Sequence, residues 1–130
     1  MYPSTDQLLR TALAQQFSSA RVCTDLPADL EQTLPTIQLT RFGGSDEVIT
    51  MDMGITDIDV WAATRTDADV LAAQVRTWMR LHLPGRTYTG PTGAGTFARV
   101  RTQTGAQPRP SGNPDVKRVG MVMEVWVHSA

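Results

Sequence analysis

The chain has 130 residues, 41% of them hydrophobic, and a formal net charge of −1. That length suits one core and one domain, and the near-neutral balance gives no bulk attraction to nucleic acid or to an anionic membrane. Cys23 is the single cysteine, which excludes an intramolecular disulfide. No stretch approaches the roughly 20 apolar residues of a bilayer span, and the first residues lack the basic-then-apolar order of a signal peptide, so a soluble, intracellular product is expected.

The charge is unevenly placed along the chain. Met1 to Asp69 carries 11 acidic and 4 basic residues, whereas Val70 to Ala130 carries 2 acidic and 8 basic ones. Such halves either fold together and neutralise each other or present complementary surfaces to neighbouring copies. Lys117 is the one lysine among 12 basic residues; the rest are arginines, whose planar fork suits carboxylates, phosphates and interfaces.

In chain order, Ser4 or Thr5 caps a first helix in which Leu8, Leu9, Ala12, Leu13 and Phe17 recur at helical spacing. Arg21 to Thr24 reads as a short strand. Asp25 to Leu34 reads as a loop with room for a short helix over Ala28 to Thr33. Thr36 to Phe42 alternates as a half-buried strand, and Gly43-Gly44-Ser45-Asp46 signals a hairpin turn. The returning strand starts at Ile49. Its apolar residues hold one parity through Met51, Met53 and Ile55, then the other through Ile58, Val60 and Ala62. A period of two changes phase only at an irregularity, so a bulge is expected near Gly54 to Asp57.

Thr66 is the expected N-cap of a second helix with Ala68, Leu71, Ala72, Val75, Trp78, Met79 and His82 on its apolar stripe, stopped by Pro84-Gly85. Arg86 to Thr96 reads as a polar loop, about Thr96 to Thr102 as a strand, 104–117 as a long loop containing Pro108, Pro110 and Pro114, and Arg118 to His128 as the last strand. The expectation is a single α+β domain over 1–130. It has a mainly antiparallel sheet and two packed helices in the order α-β-β-β-α-β-β.

Little of this carries chemistry. Cys23, His82 and His128 are too far apart in sequence for a metal spacing, and His82 suits the negative end of its helix. Gly93 to Ala98 matches G-x-G-x-x-A in letters, but the strand before and the helix after are missing, so it reads as a turn. Asp57 and Asp59 could in principle hold Mg²⁺ or exchange protons. With no phosphate-binding loop beside them, they read instead as a solvated face or as partners for arginine on the sheet or on another copy. Arg99, Arg101, Arg109, Lys117 and Arg118 gather around the expected long loop, with Arg99 and Arg101 on one strand face. No catalytic residue, metal or cofactor is expected, and the chain reads as a non-enzyme.

Ile55-Thr56-Asp57-Ile58-Asp59-Val60-Trp61-Ala62 followed by Arg65-Thr66-Asp67-Ala68-Asp69-Val70-Leu71-Ala72 resembles the strand-then-helix core of the tail terminator, or tail-completion, proteins of long-tailed phages. The resemblance implies a virion protein assembled in the host cytoplasm: a homo-hexameric ring that caps the tail tube protein and docks to the head-side connector. On that reading the interface candidates are Asp57, Asp59, Arg99, Arg101, Arg109, Lys117 and Arg118, with the arginine-bearing strand beside DNA in the lumen. A head-closure (stopper) protein of the phage neck is the nearest alternative. A small nucleic-acid- or ligand-binding module is the alternative from another class.

Overall fold

The computed structural model describes residues 3–46 and 51–130. Its elements are helix α1 (Thr5–Gln16), strand β1 (Arg21–Cys23), a 3-10 turn (Leu30–Gln32), β2 (Thr36–Ser45), β3 (Met51–Ala62), helix α2 (Arg65–Leu81), β4 (Thr87–Gly90), β5 (Gly93–Arg109) and β6 (Lys117–Ser129). One six-stranded sheet runs β1-β2-β3-β6-β5-β4. Among the described residues only the β1–β2 pair is parallel. The α+β class and its mainly antiparallel sheet hold, with β4 as an added strand. The segment expected as a polar loop after α2 is a short hairpin: Thr87 pairs with Thr96 and Gly90 with Gly93.

Both helices lie on one face of the sheet because each has one apolar stripe to bury. Leu8, Leu9, Ala12 and Leu13 of α1, with Ala68, Ala72, Val75, Trp78 and Met79 of α2, meet Ile37, Leu39, Ile58, Val60, Phe97, Val119, Met121, Met123, Val125 and Val127. A fully buried Leu, Ile, Phe or Met side chain contributes about 1.5–3 kcal/mol relative to exposure. His82 falls off the expected stripe: it is exposed and forms the C-cap of α2, its N–H bonding to Trp78 O.

The cap of α2 is Thr64, two residues before the expected Thr66. Thr64 has extended backbone angles and its Oγ1 accepts from Asp67 N–H at 3.1 Å, the third helical position. That geometry suits a threonine outside the helix, and Thr66 lies inside it. Thr64→Ala is expected to cost about 1 kcal/mol in chemical denaturation.

Three further expectations change. The register of β3 against β6 is unbroken from Met51↔His128 to Ala62↔Lys117, so β3 has no bulge at Gly54 to Asp57. The irregularity lies on β2, where Phe42 is the extra residue between Arg41 and Gly43. Ile49, the expected start of β3, lies outside the described residues. Gly43, Gly44 and Ser45 are not the turn: they continue β2 and pair with Ile55, Gly54 and Met53. A Cβ on Gly44 would strike the carbonyl oxygen of Met53 and the Arg41 guanidinium, so close approach explains the glycine there. Finally, the long loop over 104–117 shrinks to 110–116, because β5 stays paired with β6 as far as Arg109↔Arg118. Register shifts after Phe97, Thr102 and Thr104 break the alternation in β5, which hides that length from a periodicity reading.

Candidate functional site

An unshifted β3 sends alternate residues to fixed faces, and this decides where its polar and apolar groups go. Asp52, Gly54 and Thr56 share the helix-covered face with Ile58 and Val60. Met51, Met53 and Ile55 go to the other face with Asp57, Asp59 and Trp61. Paired residues share a face, so Arg118, Gly120, Val122, Glu124, Trp126 and His128 of β6 join them. Arg99, Arg101, Thr104 and Arg109 of β5 do so as well. Among the described residues no helix covers this second face.

On the covered face the polar end is closed by one cluster. Arg41 donates to both carboxylate oxygens of Asp52, at 2.7 and 3.0 Å, and to Thr5 Oγ1 at 2.8 Å. Thr5 Oγ1 also donates to Asp52 at 3.2 Å. The cluster ties the start of α1 to β2 and β3, and Gly54 leaves room for Thr5. Sequence reasoning missed it because the partners of Asp52, Arg41 and Thr5, lie 11 and 47 residues away in sequence.

On the open face, at the Trp61 end, four expected site residues meet. Asp59 is 3% exposed. Its Oδ1 accepts from Arg109 Nη1 at 2.9 Å and Arg118 Nε at 3.0 Å, and its Oδ2 accepts from Arg118 Nη2 at 2.8 Å. Arg109 Nη2 lies 2.9 Å from Asp57 Oδ1, an ion-pair contact without hydrogen-bond alignment. Arg118 stacks on Trp61, 5.0 Å from the ring centroid, and its pKa is raised chiefly by its hydrogen bond to Asp59. Trp61 Nε1 donates to Gln38 Oε1 at 3.3 Å. The acidic and basic halves of the sequence therefore meet here within one copy. Gly120, directly opposite Asp59, supplies the space: a Cβ there would collide with the Arg109 guanidinium and Asp59 Oδ1.

The other expected site residues stand apart. Arg99 lies over Trp126 at 5.0 Å, and Arg101 Nε is 3.4 Å from Glu124 Oε2. Both arginines are exposed. Lys117 turns its Nζ to Pro114 O at 3.0 Å, away from the cluster. Met51, Met53, Ile55, Val122 and Trp126 form a half-buried apolar strip beside Arg99 and Arg101. Trp, Met and Arg are the residues enriched in the cores of protein interfaces.

Cys23 is 6% exposed, and burial pushes its thiol pKa up. It is expected to resist a soluble disulfide reagent in the native protein at pH 8 and to react in denaturant; rapid native labelling would contradict that packing. Among the described residues no three His, Cys, Asp or Glu side chains are grouped as metal ligands, and no helix is long and apolar enough to cross a membrane.

A family model described as phage tail termination protein matches residues 2–130. No curated protein matches the chain.

Proposed function

The chain belongs to the phage tail termination protein family, matched over residues 2–130, and from that premise we propose a homo-hexameric ring that caps the tail tube and receives the head-side connector. A structural role in the phage tail follows from the family; ring, cap and docking are the proposal. The observation that supports it is the uncovered sheet face. It presents an apolar strip of Met51, Met53, Ile55, Val122 and Trp126 beside exposed Arg99 and Arg101, a composition suited to protein contacts. No catalytic work is assigned to Asp57 or Asp59, whose charges are engaged by Arg109 and Arg118.

Of the seven interface candidates, Arg99 and Arg101 are the pair for direct contact with a neighbour. Asp57, Asp59, Arg109 and Arg118 shape the face from within. Lys117 marks the rim at the 110–116 loop. The ring assembles in the host cytoplasm and ends in the virion.

Native mass spectrometry of the protein alone and with tail tube protein tests the reading: hexamers are expected, and monomer in both samples would overturn it. Separate pull-downs with tube and connector distinguish a terminator, which engages the tube, from a stopper, which engages the connector alone. Filter binding of DNA across a salt series is expected to show only weak contact. Tight binding that falls steeply with salt would move the assignment to a nucleic-acid module.

A further inference from the structure

The two sides of the sheet end in strands that are only partly paired. β1 covers β2 at Thr36 to Gln38, and no backbone partner stands on that side of Leu39 to Gly44 among the described residues. β4 covers β5 at Gly93 to Thr96, and Arg86 bonds Phe97. From Ala98 to Arg109 the outer side of β5 has no backbone partner among the described residues; Val100 O is met by the Arg80 guanidinium at 2.9 Å.

These open stretches stand at the same height. Gly43 is level with Ile55, Glu124 and Arg101 across the sheet, and Ser45 with Met53, Trp126 and Arg99. The extra residue of β2, Phe42, therefore stands level with Arg101 and Thr102, next to the irregularity between Thr102 and Thr104 of β5. β2 and β5 also run in opposite directions, since three successive antiparallel pairings separate them.

Each open edge carries an exposed apolar side chain. Phe42, on β2, is 57% exposed; Leu81, at the end of α2, is 71% exposed and lines a groove with Arg76, Thr77, Arg80 and Ala106 of β5. Exposed Asp46 continues β2 just past the height of Arg99. Arginines flank the β5 edge: Arg99 and Arg101 on the open face, Arg80 reaching Val100 O from α2.

We infer that the Leu39–Gly44 edge of one copy pairs antiparallel with the 98–105 edge of β5 in the next, so that the sheet continues from subunit to subunit. Phe42 enters the groove beside Leu81, and Asp46 faces Arg99 and Arg101. The contact joins two different surfaces, and a head-to-tail contact of that kind closes into a ring when its rotation closes. The irregularities on both edges resist indiscriminate pairing in the free chain while matching each other in this one register. The inference rests on the ring proposed above and names its interface.

Phe42→Asp and Leu81→Asp, each with an unchanged circular dichroism spectrum, test it by native mass spectrometry at concentrations where the wild type is assembled. Each variant alone is expected to be monomeric. Their mixture is expected to stop at a one-to-one dimer, because each copy retains one intact edge. Rings formed by both variants, or a mixture that stays monomeric, would overturn the edge pairing while leaving a wild-type ring in place. A wild type that never assembles, with or without tube, would instead overturn the ring itself.

Discussion

Replacing Asp59 by Asn is expected to lower stability by about 2–3 kcal/mol, the largest loss from any single polar group on the open face. The carboxylate is 3% exposed and accepts three charge-assisted bonds from two guanidinium groups. Removing one partner of a buried charge network costs about 3–5 kcal/mol because the remaining charges lose their compensation. The lower figure applies here because Arg109 and Arg118 keep part of their surface in water, and solvent screens what is left. Arg118 also retains its stacking on Trp61 and its bond to Pro110 O, and Arg109 retains Asp57. The comparison is Arg101→Ala. Its pair with Glu124 is 3.4 Å long and Arg101 is mostly exposed, so a change within about 1 kcal/mol is expected. Urea denaturation of both variants checks the contrast; equal losses would mean that burial does not set the strength of the Asp59 cluster.

How much of this was legible in the sequence depended on the range of the interactions. The stripes of α1 and α2 and the parity of β6 are local patterns, and the structure follows them closely. The β3 phase change was also legible as a pattern, but it had two physical explanations. A bulge would keep all the apolar residues on one face. An unbroken strand instead sends Met51, Met53 and Ile55 to the open face and buries Asp52 under α1. The second requires a polar partner on the covered face, and Arg41 with Thr5 provides one from 11 and 47 residues away in sequence. No window of local sequence contains that information. The joining of Asp59 to Arg109 and Arg118, at separations of 50 and 59 residues, was out of reach for the same reason. The charge split along the chain did indicate that such pairs could form, but not whether they would lie within one copy or between two. β5 failed differently. Its three register shifts remove the alternation by which strands are recognised, so its second half read as loop although it stays paired with β6 at Thr104 and again from Gln107 to Arg109.

Gly120 gives the second large effect, one that no local pattern announced. Gly120→Ala is expected to cost about 2 kcal/mol, although glycine within a strand is ordinarily worse than alanine by roughly 0.5–1 kcal/mol. The position is central in the sheet, between Asp59 on β3 and Gln107 on β5. The new methyl group would collide equally with the Arg109 guanidinium and with Asp59 Oδ1. Arg109 is long enough to swing away, but doing so gives up its bond to Asp59 and its contact with Asp57, leaving both carboxylates short of a cation. Accommodation therefore breaks the cluster, and refusing to move leaves a strained, overpacked site costing about 1–3 kcal/mol. The two routes are separated by a double-mutant cycle with Arg109→Ala. In that background the clash with Arg109 is gone and the crowding of Asp59 Oδ1, still held by Arg118, remains, so Gly120→Ala is expected to cost about 1 kcal/mol. The coupling energy between the two positions should therefore be about 1 kcal/mol, measured from the four denaturation midpoints and slopes. An equal cost of Gly120→Ala in both backgrounds would show that the crowding of Asp59 Oδ1, and not Arg109, selects glycine at this position.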